Sequence, residues 1–291
     1  MKISGFTFIR NAVLYEYPIV PAIRSVLPLC DEVVVAVGES EDTTLELIQN
    51  IDSPKIKILR TEWDDTLRAG GRVLAEETNK ALHAISPKAD WALYIQGDEV
   101  LHEAGISAVL AAAKRWKDDP RTDGLLFNYR HFYGSYDYVG TNSRWYPHEI
   151  RMIKNRPDIY SYRDAQGFRK GNNEKLRVRP VNAYIHHYGW VKPPAVQQRK
   201  RENFNKYWHS DAWMRENVYN QTDFAYTDSL HRLERFTGTH PQVMQASIGK
   251  QNWEFDRDIS LNRTPLKERL KAVLKKYLGL DFSYRNYRIL R

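Results

Sequence analysis

Short apolar, β-branched runs alternate with stretches of helical spacing over the first hundred residues, and that alternation leaves the chain few folds. The clearest run is residues 32–37, Glu-Val-Val-Val-Ala-Val. A strand with almost no polar face has to be covered on both sides, as in a parallel sheet between layers of helices. Residues 3–9, 55–59 and 91–95 read as further strands. Residues 17–27, with Pro18 and Pro21 in the first turn, read as a helix, as do 43–51 behind the cap Asp42 and 71–85. Alternation of this kind implies a mostly parallel α/β sheet flanked by helices. Ligands of such sheets collect outside the carboxyl ends of the strands. Arg10 and Asn11, residues 38–42 and residues 96–99 are therefore expected on one rim.

The second half is less regular. Residues 123–133, 149–154 and 182–188 look like strands, 133–138 like a polar aromatic loop, and 195–218 like polar helix. We expect an α/β domain over residues 1–215 and a helical, basic extension over 216–291. Cys30 is the one cysteine among 291 residues, so no internal disulfide forms and the thiol is expected as a small buried hydrophobe. No apolar run is long enough for a signal peptide or a membrane span; the expectation is a cytoplasmic protein. The formal net charge of +8 is unevenly placed. Residues 263–291 hold nine Lys/Arg against two acids, leaving the body nearly neutral. A nucleic-acid binder would spread its excess over a folded face, so no nucleic-acid partner is expected.

The strongest chemical signal is Asp90-Trp91-Ala92-Leu93-Tyr94-Ile95-Gln96-Gly97-Asp98-Glu99. A buried strand here delivers adjacent carboxylates to the rim, where oxygen ligands can hold a divalent cation against a diphosphate. This segment resembles the family 2 glycosyltransferases, nucleotide-sugar-dependent enzymes of the GT-A fold, whose corresponding strand commonly ends in Asp-Ala-Asp-Glu after Trp-x-Leu. Trp91, Leu93, Asp98 and Glu99 match, and Gln96 stands in place of the first acid. Three more segments match in the same order. Arg10-Asn11 follows the first strand. Glu39, Ser40, Asp42 and Thr44 resemble the family's nucleotide-binding segment, with Val37 where an Asp that contacts the base is usual. Arg68, Gly70, Gly71 and Arg72, followed by Asn79 and Leu82, resemble its Gly- and Arg-bearing region. The resemblance covers residues 3–130 and implies a GT-A-like fold and an inverting sugar transfer to a hydroxyl acceptor, a glycan or lipid-linked glycan. It also implies a donor site of Arg10, Asn11, Glu39, Ser40, Asp42, Arg68, Arg72, Gln96, Gly97, Asp98 and Glu99, with Mn or Mg at Asp98.

An inverting transferase needs a base for the acceptor hydroxyl, and Asp164 is the first choice with Glu149 the second. Adjacent histidines on a strand face opposite ways; of His186 and His187, His187 is the one expected at the metal or diphosphate. Aromatic residues are dense after residue 130, and such rings stack on sugar faces. Residues 264–279 read as a helix with an apolar stripe (Leu266, Leu270, Val273, Leu274, Tyr277, Leu278) and four lysines mainly off it. Such a helix suits a peripheral membrane surface. A non-catalytic glycan- or lipid-binding protein on the same fold, or a nucleotidyltransferase, remain the alternatives.

Overall fold

Strand β2 (Glu32–Gly38), which follows β1 (Ile3–Ile9) and helix α1 (Ile19–Val26), is buried along its whole length. Val33, Val35 and Val37 join one core with Ile19, Ile23 and Val26 of α1, while Val34 and Ala36 join a second core with Phe6 and Tyr94. The run with no polar face is thus covered on both sides. The structure, a computed structural model, describes residues 1–142, 145–219, 222–226, 232–261 and 285–290.

The chain continues through α2 (Thr44–Gln49), β3 (Ile56–Thr61), α3 (Arg72–His83), β4 (Trp91–Tyr94) and β5 (Glu99–Leu101). Then come α4 (Ile106–Trp116), β6 (Gly124–Tyr133), β7 (Tyr138–Gly140) and β8 (His148–Lys154). Strands β9 (Ile159–Tyr162), β10 (Gly167–Lys170) and β11 (Glu174–Lys175) form a small separate sheet. The long β12 (Arg177–Trp190) leads into α5 (Pro194–Asn205) and α6 (Asp211–Asn217), and β13 (Leu233–Arg235) and β14 (Arg288–Ile289) follow.

The main sheet runs β3-β2-β1-β4-β8-β6, with β12 paired beyond β6. All these pairings are parallel except those of β8, which runs against both β4 and β6. This is the mostly parallel α/β sheet, flanked by helices, that the sequence implies. Helices α1, α2 and α4 cover one face, and α3 and the small sheet cover the other. Helix α1 stops at Val26, two residues before Pro28, which has no N–H to continue the ladder. Helix α3 begins after Gly71, whose φ of +69° suits glycine.

The described residues beyond 215 hold the end of α6, a short α-helix over Gln245–Ile248 and two short strands. Strand β13 adds to β7, and β14 adds to β12 with Arg177 opposite Arg288. Met244 packs against Phe132 and Tyr188, and Tyr287 joins the core under α3. These segments carry no periodicity of their own, and neighbours distant in sequence decide their conformation. The basic stripe of residues 264–279 lies outside the described residues.

What places the site is the path between β4 and β12. The chain turns at residues 96–98 and returns as β5, antiparallel to the end of β12 with Glu99 opposite His187. Glu99 is fully buried and takes both arms of the equally buried Arg151 of β8, at 2.8 and 2.7 Å. Tyr129 Oη and the Gln96 backbone N–H also donate to it, at 2.9 and 3.1 Å. Arg151 donates in addition to the carbonyls of Ile150 and Gln166.

Glu149, two residues before Arg151, is also buried. Burial pushes its carboxyl up to about 7, with Arg151 and the Ile150 N–H acting against the rise. It lies under Gly167 rather than at the rim.

Two outcomes follow from these acids. Breaking one side of the buried pair, as in Glu99→Leu or Arg151→Met, strands a charge and costs about 3–5 kcal/mol, whereas the double variant Glu99→Leu/Arg151→Met costs much less than the sum of the singles. Urea denaturation of the four proteins measures the coupling; strictly additive losses would remove the pair from its structural role. Glu149 binds its proton more tightly folded than unfolded, so its contribution is complete below about pH 4.5 and is lost as pH rises to about 7. Stability of wild type relative to Glu149→Gln should therefore fall across that window, by about 3 kcal/mol. A pH-independent difference would contradict the buried, protonated carboxyl.

Candidate functional site

A cavity of about 610 Å³ opens at the carboxyl ends of β1 and β4. It holds Arg10, the Gln96-Gly97-Asp98 turn, Asp164, His187 and one face of α5.

Asp98 sits at the tip of the β4–β5 turn. Its Oδ2 accepts from Lys200 Nζ at 3.0 Å, and its Oδ1 lies 3.7 Å from His187 Nε2. The Asp98 carbonyl accepts from the Tyr188 N–H at 2.8 Å. Gly189 makes this approach feasible, since a Cβ there would stand 2.7 Å from Asp98 Oδ2 and 2.8 Å from the His187 ring. Burial alone would raise the Asp98 carboxyl, but Lys200, His187 and Lys192 hold it well below the ordinary carboxylate range. His131 donates through Nε2 to the Tyr146 carbonyl at 2.8 Å, which leaves its Nδ1 to accept from His187 Nδ1 at 3.2 Å. That assignment, inferred from the hydrogen bonds, turns Nε2 of His187 toward Asp98, and the ring helps hold the carboxylate ionised when that nitrogen carries a proton. Burial lowers the His187 pKa, with Asp98 opposing. Lys192 is 1% exposed, and burial together with Lys200 pushes its ammonium down to about 7.

Asp164 stands on the same cavity in a different setting. Burial raises its carboxyl, against backbone hydrogen bonds from its own turn. Arg163 and Ala165 on either side have φ of 55° and 60°. Such left-handed backbone costs a non-glycine residue about 1–3 kcal/mol, and it persists only where surrounding structure holds it. Here Gln96 Nε2 donates to the Ala165 carbonyl at 3.2 Å and Arg151 to the Gln166 carbonyl at 2.9 Å. Two more residues of this kind, Asn11 and Glu16, flank the cavity's β1–α1 side.

The other candidates divide by position. Arg10 lines the cavity, fixed by the Glu39 carbonyl, Asp65 and the face of Trp63. Gln96 and Gly97 line it too. Asn11, Ser40 and Asp42 stitch neighbouring loops instead: Asn11 Oδ1 accepts from the Glu41 N–H, Ser40 Oγ from the Asn11 N–H, and Asp42 from the N–H groups of Leu14 and Thr44. Glu39 is exposed and contributes its backbone carbonyl. Arg68 straps the loop before α3 to the Lys206 and His209 carbonyls and Asp211. Arg72 pairs with Glu76 in solvent. Glu99 and Glu149 are buried off the wall. Their residue type looked chemical in the sequence, and burial gives them other surroundings.

Lys200, Trp63 and Tyr17 line the cavity without having been singled out in the sequence. A signal for α5 did exist, because Gln197, Lys200, Arg201 and Phe204 recur at i, i+3, i+4 and i+7, which is one helix face. Trp63 covers the end of β2, against Gly38 and beside Phe8 and Tyr207. Val37, which is where the sequence lacks the expected acid, joins the core with Ile19 and Ile23 instead.

A divalent cation fits this donor set poorly. Asp98 is already paired with an ammonium, Gln96 supplies an amide where a second acid would be needed, and His187 adds one nitrogen. Among the described residues no three His, Cys, Asp or Glu side chains are grouped to hold a metal. Mg or Mn ordinarily takes about six ligands, mostly oxygen. No described helix is long and apolar enough to cross a membrane.

No protein-family model matches the chain, and no curated protein matches it. Solved structures similar to it include S. aureus TarS, at 15% identity over 76% of this chain and 41% of that one, with a TM-score of 0.43. TarS 1-349 in complex with UDP-GlcNAc matches at 15% identity over 76% of this chain and 68% of that one, with a TM-score of 0.41. Glucosyl-3-phosphoglycerate synthase from Mycobacterium tuberculosis, in complex with Mn2+, UDP and glucosyl-3-phosphoglycerate, matches at 19% identity over 46% of this chain and 45% of that one, with a TM-score of 0.31. The chain thus spans less than half the length of the longer TarS structure.

Proposed function

We propose that the chain is a glycosyltransferase that moves a sugar from a nucleoside-diphosphate sugar to a hydroxyl acceptor with inversion. The observation that carries this reading is the pair of carboxylates on one cavity with opposed environments. Asp98 is held ionised by Lys200 and His187, while Asp164 is pushed toward its protonated form. Groups of one chemical type whose surroundings pull their pKa values apart suit an electrostatic anchor and a proton acceptor. The cavity has the size of a small-molecule site. Its wall combines cations, Arg10, Lys200 and Arg201, with the aromatic rings of Trp63, Tyr146 and Trp190. Cations suit a diphosphate, and rings suit a base and a sugar.

In this reading the donor diphosphate lies toward Arg10 and Lys200, and the acceptor hydroxyl lies at Asp164. The acceptor oxygen bonds to the anomeric carbon as the carbon–oxygen bond to the β-phosphate breaks. The electron pair stays on the phosphate oxygen, and the hydroxyl proton passes to Asp164. The acceptor is a glycan or lipid-linked glycan, and the lysine-bearing stripe of residues 264–279 is the segment that would meet a lipid surface.

Asp164→Asn should lower turnover at saturating donor by about 10²–10⁴-fold, with donor affinity measured by calorimetry changed by less than about threefold. A variant that binds donor poorly but turns over normally would assign Asp164 to the donor and send the base elsewhere. Each lysine near an anionic surface is worth about 1 kcal/mol. Replacing Lys267, Lys271, Lys275 and Lys276 by Gln should therefore cut sedimentation with phosphatidylserine vesicles at least about a hundredfold. Substitution is the right test because truncation would also remove β14 from the sheet. Unchanged sedimentation would rule the stripe out as an anchor.

A further inference from the structure

The wall that holds Asp98 also holds a cation of its own. Lys200 Nζ is 3.0 Å from Asp98 Oδ2 and 2.9 Å from the Gly189 carbonyl, and it lies 4.8 Å from the centre of the Tyr17 ring. Its side chain is 13% exposed, and it lines the cavity. An ammonium has three N–H donors. Among the described residues two are accounted for, and the third is available to an oxygen in the cavity. The three partners fix the head of a side chain that is otherwise flexible, so its charge is in place before any ligand arrives. Preorganised charge of this kind needs no reorganisation during reaction.

The position matters as much as the charge. Asp98 is where the family resemblance puts a divalent cation, and a cation bound to its carboxylate would sit about 2–2.6 Å from an oxygen. The Lys200 ammonium already occupies one side of that carboxylate. Gln96 removes the second acid that would outweigh the resulting repulsion. One acid then faces the Lys200 ammonium, with the buried Lys192 ammonium close by, and no excess negative charge is left to hold a metal.

We propose that the Lys200 ammonium, held on Asp98, supplies the positive charge for the departing diphosphate, so that donor binding and transfer need no divalent cation. This rests on the glycosyl-transfer reading. When the carbon–oxygen bond to the β-phosphate breaks, the new charge on the phosphate oxygen meets the free N–H of Lys200. Lys200 keeps its proton throughout, and the acceptor's proton goes to Asp164.

The test is calorimetric binding of UDP, GDP, ADP, CDP and dTDP, each as a separate probe, to the full chain in EDTA and in manganese. At least one should bind in EDTA with an affinity within about threefold of that in manganese. Lys200→Ala should weaken that binding in EDTA by about 10–100-fold, the usual worth of a charge-assisted hydrogen bond. The same variant frees the Asp98 carboxylate, so manganese should restore much of its binding. Wild-type binding that appears only with manganese would overturn the proposal and leave the transferase reading standing. So would a Lys200→Ala protein that melts like wild type and binds equally well in EDTA. If no nucleoside diphosphate binds under either condition, the transferase reading falls and takes this proposal with it. The wild-type comparison needs no variant to fold.

Discussion

The buried pair between Glu99 and Arg151 is the interaction on which the site's geometry rests. Two charges without solvent are tolerated only when the remaining lone pairs and protons also find partners. Here they do. Tyr129 and the Gln96 N–H complete Glu99, and the carbonyls of Ile150 and Gln166 complete Arg151. Those partners come from the β4–β5 turn, β6, β8 and the turn between β9 and β10. Satisfying one ion pair therefore fixes four segments that are far apart in sequence. Asp98 is the neighbour of Glu99, and Asp164 is two residues before Gln166. Both cavity acids thus inherit their positions from a pair that never reaches the cavity. The left-handed backbone at Arg163 and Ala165 persists for the same reason, because the turn is held from below.

Given those positions, the difference between the two acids comes from what lies next to them. Asp98 has Lys200 within hydrogen-bond distance and His187 close by. Among the described residues, Asp164 has the backbone of its own turn and the packed loop around Gly71, where a Cβ would stand 3.0 Å from its own. Desolvation acts on both, and only at Asp98 is there enough opposite charge to reverse it. The same side chain is held ionised in one place and pushed toward its protonated form in the other.

Much of this was legible in the sequence, for identifiable reasons. The doubly buried run 32–37 required layers on both sides, and the strand order then placed Arg10, Gln96 and Asp98 on one rim. The alternation of a strand separated His187 from His186, which is fully buried among Phe132, Phe236 and His240. Other features depend on partners that spacing does not reveal. Glu99 and Glu149 have the residue type of catalytic acids, and only tertiary packing shows them to be buried away from the cavity. Lys200 lies 102 residues from Asp98, on a helix whose sequence reads as merely polar. Residues 286–289 have no pattern that announces a strand, and it is β12 that makes two of them one. Asp42 and Ser40 matched a binding segment, but their oxygens are used on loop N–H groups.

Gln96 and Lys200 are best understood as two parts of one arrangement. A carboxylate at position 96 would be an acceptor only. It could not donate to the Ala165 carbonyl, as the Gln96 amide does at 3.2 Å, and so it would loosen the turn that carries Asp164. It would also add a second negative charge beside Asp98, whose own side chain is only 13% exposed. The amide removes that excess and ties the two turns together. Lys200 in turn needs a lone acid: beside two it would be outnumbered, and beside none it would be an uncompensated buried cation. Gly189 completes the set, since any side chain there would push Asp98 and His187 apart from the strand that presents them. The amide at position 96 therefore leaves Asp98 as the one acid at the cavity end of its turn, paired with the ammonium that α5 brings.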